Sequence, residues 1–382
     1  MKHQQTNRLF IYAVVQTVGR MTLLIMAFLS GCLVILVGLL LAWSPGKPKP
    51  FIDKNGKPLA GSIAEKTYVD INGVAQGIFI KSKDAGNPVL LYLHGGMPDY
   101  FLTQGYPTHL EDDFTVVWWE QRGAGISFHS DLPSETITQE QLIADTLAMT
   151  NYLRQRFGQE KIYLMGHSGG TFFGIQAAAQ APALYHAYIG VAQMVNTRKS
   201  EKLAYDYMLQ AFKANGNTTM VRRLEAAPVT LAGGTPPAYL ALRDGAMHSL
   251  GIGTTHAMKS VVTGIFFPSL TFREYTLLDK VNLWRAKARN GVSVLWEESL
   301  ATDLSQTLPT LDLPVYFFEG TYDYTCNYSV AKEYFERLDA PVKGFYTFAQ
   351  SAHSPIFEEP DKAQNILRKD VLTGTNRLAD TK

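Results

Sequence analysis

The sequence predicts an α/β fold, in which a mostly parallel central sheet is flanked by helices and carries an inserted helical cap. From residue 89 onwards, short apolar runs of strand length alternate with helical patterns, and runs that are apolar on both faces are typical of buried parallel strands. Residues 192–312 hold helical patterns without a convincing strand and predict the cap. An uncharged run near the N-terminus predicts one transmembrane helix ahead of this fold.

The composition indicates a folded chain and excludes two kinds of site. With 382 residues, 46% of them hydrophobic, the chain exceeds the size of one ordinary core, so a core with an insertion is expected. Its 35 basic and 34 acidic residues leave a net charge of +1, which excludes a general nucleic-acid-binding field. Two cysteines, Cys32 and Cys326, are too few for a disulfide framework or a zinc site.

The N-terminal segment predicts a membrane anchor. After a tail of residues 1–20, residues 21–43 form 23 uncharged positions, enough for a helix to cross a bilayer. A secretory signal has a shorter apolar part of ~7–15 residues, so an anchor is favoured. Leu29-Ser30-Gly31-Cys32 also resembles a bacterial lipobox, which would place a lipid on Cys32, although the chain stays apolar beyond it.

The topology of this anchor is open, because positive charges lie on both sides of it. A short tail before a large domain is typical of a signal anchor and favours a domain outside the cytoplasm. Residues 44–62 hold four prolines among glycines and lysines and predict a flexible tether. The basic residues are Lys2, Arg8 and Arg20 before the anchor and Lys47, Lys49, Lys54 and Lys57 after it.

The predicted core comprises residues 63–195 and 305–375, and the predicted cap comprises residues 196–304. A hairpin of strands 67–71 and 77–82 turns at Asn72-Gly73. The remaining predicted strands are 89–93, 114–119, 162–165, 188–191, 315–318 and 344–348, and the crossover helices are 139–157, 170–180, 329–338 and 360–372.

A nucleophile is predicted at Ser168. Gly166-His167-Ser168-Gly169-Gly170 lies between a predicted strand and a predicted helix, as in the strained turn that raises a serine hydroxyl above the edge of a sheet. The alternative, a structural turn in a nucleotide-binding protein, would need a glycine-rich phosphate loop after the first strand, and the sequence has none there.

A serine nucleophile needs a base and a carboxylate that orients the base. In this architecture the acid follows a later strand and the histidine comes last, which selects Asp323 and His353. Glu319 is the second candidate for the acid. The competing histidines lie in other loops and in the cap, at His94, His109, His129, His248 and His256.

Backbone amides at Gly96 and Gly169 are the candidate oxyanion donors. A glycine pair, Gly95-Gly96, follows the strand of residues 89–93, and Gly169 follows the nucleophile. An ordinary tight turn is the alternative interpretation of the glycine pair.

With these residues the chain resembles the α/β-hydrolase superfamily, and within it the proline iminopeptidase group, over residues 63–372. His94-Gly-Gly-Met-Pro98 is similar to that group's His-Gly-Gly-Pro-Gly, and Glu120-Gln-Arg-Gly-Ala-Gly-Ile-Ser127 is similar to its Asp-Gln-Arg-Gly-x-Gly-x-Ser. The resemblance implies a hydrolase without metal or cofactor, acting on a small molecule or short peptide. It also implies a cap that sets the substrate, often through glutamates that bind a free amino terminus.

Three departures leave the substrate open. Met97-Pro98 replaces Pro-Gly, Gly169 stands where the peptidases typically have Trp, and an anchor precedes the domain. A glycine beside the nucleophile fits a carboxylesterase or lactonase as well as an aminopeptidase, and a non-catalytic ligand-binding protein is a third reading. The candidate cap residues are Glu201, Glu225, Glu274, Glu297 and Glu298, with Arg243, His256 and the aromatic run 264–268.

Overall fold

An eight-stranded sheet forms the centre of the molecule. The structure is a computed structural model that describes residues 2–290 and 294–381. The strands lie in the order β1-β2-β4-β3-β5-β6-β7-β8; β2 is antiparallel to β1 and β4, and all other neighbours are parallel. Their bounds are β1 Ile63–Ile71, β2 Val74–Ser82, β3 Val89–Leu93, β4 Thr115–Glu120, β5 Ile162–His167, β6 Tyr185–Val191, β7 Val315–Gly320 and β8 Lys343–Phe348.

The first two strands form the hairpin that the sequence predicts. Ile71 pairs with Val74 across a two-residue turn. Asn72 and Gly73 both adopt positive φ, at 50° and 78°, which is the turn geometry that matches the twist of paired strands. Both strands are longer than expected, because regular pairing extends β1 outwards to Ile63 and begins in β2 directly after the turn, at Val74.

Thirteen α-helices are described within residues 2–290 and 294–381. They are α1 Lys2–Ala42, α2 Gln139–Phe157, α3 Gly169–Gln180, α4 Thr197–Ala214, α5 Thr218–Glu225, α6 Pro237–Leu250, α7 Phe267–Thr271, α8 Leu277–Asn290, α9 Val294–Ala301, α10 Leu304–Thr307, α11 Tyr328–Arg337, α12 Pro355–Glu358 and α13 Pro360–Ile366. Wider π-helical turns precede α7 at Val262–Phe266 and extend α13 at Leu367–Val371. Helices α4 to α10 all lie between β6 and β7, where the sequence predicts the cap.

Apolar side chains fill both faces of the sheet. Trp118 and Trp119 are neighbours on β4, and they belong to separate buried clusters because successive strand residues point to opposite faces. A further cluster, which includes Tyr205, Met208 and Tyr239, joins α4, α5 and α6 within the cap. The strands are therefore covered on both sides, as a parallel sheet requires.

The N-terminal helix is long and apolar enough to cross a membrane. Its apolar part covers Val14–Ala42, 29 residues with a mean hydropathy of 2.9, and makes no buried contact with the rest of the chain. A signal sequence near an N-terminus has the same character. The helix begins at Lys2, so the expected tail of residues 1–20 is helical from that residue, where no proline interrupts it.

Residues 44–49 lie against the cap, although the sequence predicts a flexible tether over residues 44–62. Pro45 pairs with Thr276 in an isolated bridge, and the Gly46 amide donates to the Arg273 carbonyl at 3.1 Å. The Lys49 amide donates to the buried Glu274 carboxylate at 3.0 Å. Backbone hydrogen bonds, which composition alone does not reveal, hold this proline-rich stretch in place.

A buried ion pair explains the Gln-Arg-Gly motif. The Arg122 guanidinium donates to both oxygens of Asp145, at 2.6 and 3.0 Å, and to the carbonyls of Ile71 and Asn72. Asp145 on α2 has no exposed surface. The pair therefore ties the loop after β4 to α2 and to the β1–β2 hairpin.

Replacing Asp145 with Asn should destabilise the fold by about 3–5 kcal/mol, because it leaves the Arg122 charge buried without its counter-charge. The free energy of unfolding of the full chain in detergent, measured by urea titration, checks this. The matched control is Glu333→Gln in the exposed Lys199–Glu333 pair, which should change stability by less than about 1 kcal/mol. Equal effects of the two substitutions would contradict the structural role of Arg122.

Candidate active site

Ser168 occupies a strained turn between β5 and α3. Its φ of 55° and ψ of −124° are rare for a residue with a side chain. A Cβ on Gly166 would lie 2.7 Å from the Gly170 carbonyl oxygen, and a Cβ on Gly170 would overlap the Leu93 carbonyl. The two flanking glycines are therefore required by backbone packing, and they hold the half-buried Ser168 at the carboxyl end of the parallel strands.

Asp323 and His353 lie together in loops that follow β7 and β8. His353 Nδ1 donates to Asp323 Oδ2 at 2.8 Å. The other carboxylate oxygen, Oδ1, accepts from the amides of Thr325 and Cys326 at 2.7 and 3.0 Å. Asp323 is itself immobile, because backbone amides hold one of its oxygens and the residue has no exposed surface. It therefore fixes the orientation of the His353 imidazole.

Glu319, the second candidate for the acid, lies apart from this pair. It is on β7 itself, and its Oε1 accepts from the Gln193 amide at 2.9 Å. Its Oε2 makes no hydrogen bond within residues 2–290 and 294–381. Burial raises the pKa of Glu319 well above its usual value, which favours the neutral carboxyl, and no hydrogen bond joins Glu319 to His353 in the described part of the chain.

Ser168 and His353 line the same cavity, but no hydrogen bond joins their side chains in the described part of the chain. The Ser168 hydroxyl instead interacts with the thiol of Cys326, whose pKa is raised by burial. Catalytic hydrogen bonds are often formed only when substrate binds, and a serine hydroxyl is free to rotate about χ1.

The candidate oxyanion donors lie beside the nucleophile. A Cβ on Gly95 would come within 2.7 Å of Ser168 Cβ, so only glycine permits this close approach. The Gly96 nitrogen lies 3.7 Å from the position of a Cβ on Gly169. The Gly96 amide makes no hydrogen bond within residues 2–290 and 294–381, and so is available to a ligand.

His94 fixes the loop that carries these glycines. Its Nδ1 lies 2.8 Å from the Gly95 carbonyl, and its Nε2 accepts from the Gln121 amide at 3.3 Å. Burial lowers the pKa of His94 to about 4, which keeps the ring neutral and able to accept. His94 therefore has a positioning role for the Gly95-Gly96 turn.

A second histidine–carboxylate pair, which the sequence analysis did not identify, lies directly under the site. His167 Nδ1 bonds to Asp99 Oδ2 at 2.7 Å, and its Nε2 bonds to the backbone carbonyl of His353 at 2.8 Å. Tyr92 donates to the same Asp99 oxygen. Burial alone would lower the pKa of His167, but the hydrogen bond and charge of Asp99 outweigh burial and raise it. The only signal in the sequence is a polar residue beside the nucleophile on an otherwise apolar strand.

The cavity above Ser168 has a volume of about 790 Å³ and reaches into the cap. None of the five candidate cap glutamates lines it. Glu201 is bonded to Arg243 and Tyr239, and Glu274 to Lys81 and Tyr100. The cap carboxylate that does line the cavity is Asp244, together with the cation Lys287.

Of the other candidate cap residues, some line the cavity and one does not. Arg243, Ile265 and Phe266 line the cavity, whereas His256 stacks on Tyr322 outside it, with ring centroids 3.8 Å apart. His248 also lines the cavity, bonded through its ring to the Asp244 carbonyl and the Thr254 hydroxyl.

Comparison with known families decides the classification. A sequence profile of the alpha/beta hydrolase fold matches residues 88–360, which include the elbow, Asp323 and His353. The chain belongs to the α/β-hydrolase family. The predicted fold class and the resemblance to α/β-hydrolases and proline iminopeptidases are both confirmed. The chain is an enzyme of this family, and a serine hydrolase is consistent with the match.

Similar proteins include peptidases and esterases. The probable aminopeptidase YbaC of Bacillus subtilis is 30% identical over 319 residues, covering 82% of this chain and 98% of that protein. The proline iminopeptidase of Mycobacterium smegmatis has a TM-score of 0.60 at 16% identity, covering 81% of this chain and 98% of that one. A thermophilic esterase from Thermogutta terrifontis has a TM-score of 0.51 at 15% identity, covering 81% and 99%. The two solved structures show the shared α/β-hydrolase fold.

Replacing Asp99 with Asn should destabilise the protein in a pH-dependent way. Because the pKa of His167 is raised in the folded state, its stabilising contribution is present below its unfolded pKa and is lost as pH rises through the folded pKa. We expect a loss of about 3 kcal/mol near pH 6 and a smaller loss at pH 9.

Urea unfolding of the full chain at the two pH values measures this difference. Tyr92→Phe is the control, because it removes the other hydrogen bond to Asp99 and leaves the His167 pair intact. A loss for Asp99→Asn that is equal at both pH values would show that His167 is not charged in the folded protein.

Proposed function

We propose that this α/β-hydrolase is a membrane-anchored serine hydrolase that cleaves an ester or amide bond through an acyl-enzyme, with aminopeptidase activity of the proline iminopeptidase type. The observation that carries the proposal is the hydrogen bond between His353 and the buried Asp323, in one cavity with a serine on a strained elbow. This is the arrangement that converts an alcohol into a nucleophile.

In the proposed reaction, Ser168 rotates towards His353, whose Nε2 takes the hydroxyl proton as Oγ attacks the carbonyl carbon. Asp323 stabilises the imidazolium that forms, and the amides of Gly96 and Gly169 bind the oxyanion. His353 then gives its proton to the leaving amine or alcohol. A water molecule, deprotonated by the same imidazole, releases the acyl group and restores Ser168.

Asp244 supports an aminopeptidase. Burial would raise its pKa, but the charges of Arg243 and Lys287 outweigh burial and lower it, so the carboxylate is ionised. Arg243 lies between two carboxylates: its Nη1 donates to Asp244 Oδ1 at 2.9 Å, and its Nη2 donates to the buried Glu201 at 2.5 Å. An ionised cap carboxylate that lines the cavity is suited to binding the ammonium group of a peptide amino terminus, and the similarity to YbaC favours the same activity.

One observation favours an esterase or lactonase as the second candidate. A Cβ on Gly169 would meet its nearest neighbour, Gly95 Cα, at 3.5 Å, an ordinary contact distance. Space beside the nucleophile is therefore unoccupied by a side chain and available to the acyl group of an ester.

The apolar helix α1 supports a single-pass anchor, and the orientation that we propose for it places the catalytic domain outside the cytoplasm. Its orientation is tested by protease protection of the domain in sealed spheroplasts.

Ser168→Ala should abolish labelling by a fluorophosphonate probe, because the probe reacts with the activated hydroxyl.

Asp323→Asn should lower turnover about 10⁴-fold, since the imidazole then loses its charged partner. Glu319→Gln is the matched control and should leave turnover nearly unchanged, because Glu319 is bonded to Gln193 and not to His353. A larger loss for Glu319→Gln than for Asp323→Asn would assign the acid to Glu319.

Asp244→Asn should raise KM for a prolyl anilide about tenfold or more, through loss of a charge-assisted hydrogen bond, with KM for a short acyl ester unchanged. The control is Glu297→Gln, because Glu297 is an exposed cap residue that does not line the cavity. Equal KM values for the anilide in wild type and Asp244→Asn would favour the esterase instead.

A further inference from the structure

The cap exposes an apolar surface near the entrance to the cavity. Val262, Phe266 and Phe267 are exposed on the π-helical turn and α7, and Leu278 and Val281 are exposed on α8. These five side chains form a surface that we call the cap patch. Phe267 is 52% exposed and Leu278 is 63% exposed, values comparable with those of side chains on the apolar α1. Clustered exposure of this kind marks an interaction surface.

The cap patch is continuous with the cavity. Val262 and Phe266 are exposed and also line the cavity, as does Trp284 beneath them. Phe266 packs edge-on against Trp284 with ring centroids 5.2 Å apart, and Trp284 donates to Ser269 at 3.0 Å, which joins α7 to α8. The rim of the cavity is therefore part of the apolar surface.

The cap patch is also joined to the end of the apolar helix α1. Lys280 lies between Leu278 and Val281 on α8, and its buried ammonium donates to the carbonyls of Trp43 and Leu270, at 2.7 and 2.6 Å. It also donates to the Ser44 hydroxyl at 2.9 Å. These contacts place Trp43 and Ser44, which directly follow α1, with the start of α8 and the end of α7 around one ammonium group.

The exposed charges in the stretch of chain that carries the cap patch are basic. Between residues 259 and 290 the two acids, Glu274 and Asp279, are buried and paired with Lys81 and Lys66. The exposed charged residues of this stretch are Lys259, Arg273, Arg285 and Arg289. An apolar surface rimmed by lysine and arginine is the pattern of segments that lie in an anionic membrane interface.

We propose that the cap patch lies in the surface of the bilayer that α1 enters, and that the cavity receives its substrate from that bilayer. The substrate class is an amphiphile, with the scissile ester or amide near a polar group and an apolar chain that enters past Val262 and Phe266. This substrate class rests on the proposed hydrolase function, whereas the docking of the cap patch does not. Continuity with α1 and the basic rim select a bilayer over a second copy of the chain or a soluble partner.

The position of the cap patch is tested on the full chain in vesicles of phosphatidylcholine and phosphatidylglycerol. Phe267→Cys in a Cys32→Ser background carries an environment-sensitive fluorophore, while Cys326 is buried and does not label. Leu231→Cys is the matched control, because Leu231 is 56% exposed on the cap outside the patch. We expect doxyl-labelled lipid to quench the fluorophore at residue 267 at least threefold more than at residue 231.

Iodide dissolved in the water should quench the fluorophore at residue 231 more strongly than the fluorophore at residue 267. Equal quenching by iodide at both positions would overturn the docking proposal. Protection of residue 267 from both quenchers would also overturn it, since this is the result expected for a protein–protein contact.

The source of the substrate is tested by activity. Phe267→Asp and Leu278→Asp should each lower hydrolysis of 4-nitrophenyl laurate held in vesicles at least fivefold, and change hydrolysis of soluble 4-nitrophenyl acetate less than twofold. Leu231→Asp should change neither rate. An equal loss on both substrates in both patch variants, or no loss on either, would overturn delivery from the bilayer. If wild type hydrolyses neither ester nor a prolyl anilide, the proposed function fails, and the quenching experiment still decides the docking.

Discussion

The left-handed turn at Ser168 is the constraint on which the rest of the site depends. It requires glycine at positions 166 and 170, because backbone atoms occupy the space that a Cβ would need. It also requires glycine at position 95, where the chain after β3 passes against the Ser168 side chain. The same close packing of β3, β5 and α3 brings the Gly95-Gly96 turn against Ser168 and Gly169. One local strain thus sets the relative position of the hydroxyl and the amides before any other residue is added.

Two histidine–carboxylate pairs beneath this turn both hold His353 in place. Asp323 holds the imidazole of His353, and the Asp99–His167 pair holds the backbone carbonyl of the same residue. The loop after β8 is therefore fixed through both its side chain and its main chain. Each ring nitrogen of His167 has an acceptor, which suits the protonated imidazole that its raised pKa favours.

Much of the fold could be predicted from the sequence, because buried parallel strands are short apolar runs whose ends are marked by turns. The strand at Val89–Leu93 and the helix at Gln139–Phe157 were predicted to the residue. The order of serine, acid and histidine along the chain selected Asp323 and His353, which the structure brings into contact. Their catalytic roles remain a proposal, as do those of the oxyanion glycines.

The features that could not be predicted from the sequence are those that depend on contacts between distant parts of the chain. The cap glutamates were plausible ligands by type alone, yet Glu201 and Glu274 are occupied by buried cations, and Asp244 lines the cavity instead. The motif that discriminates best between families, Gln121-Arg122-Gly123, supplies a structural ion pair rather than a reacting group. Likewise, proline content predicted a flexible tether at residues 44–62, and it could not show that Pro45, Gly46 and Lys49 are bonded to the cap.

The attachment at Lys280 has a mechanical consequence. Helix α8 carries Leu283, Trp284 and Lys287 in the cavity wall, while Lys280 near its start is bonded to Trp43 and Ser44, the two residues that follow α1. Asp279, one residue earlier, is paired with Lys66 on β1, so α8 is coupled to the sheet at the same place. A change in the tilt of α1 must either break these bonds or move the wall of the cavity with it. Helix α1 is thus mechanically coupled to the cavity that Ser168 lines.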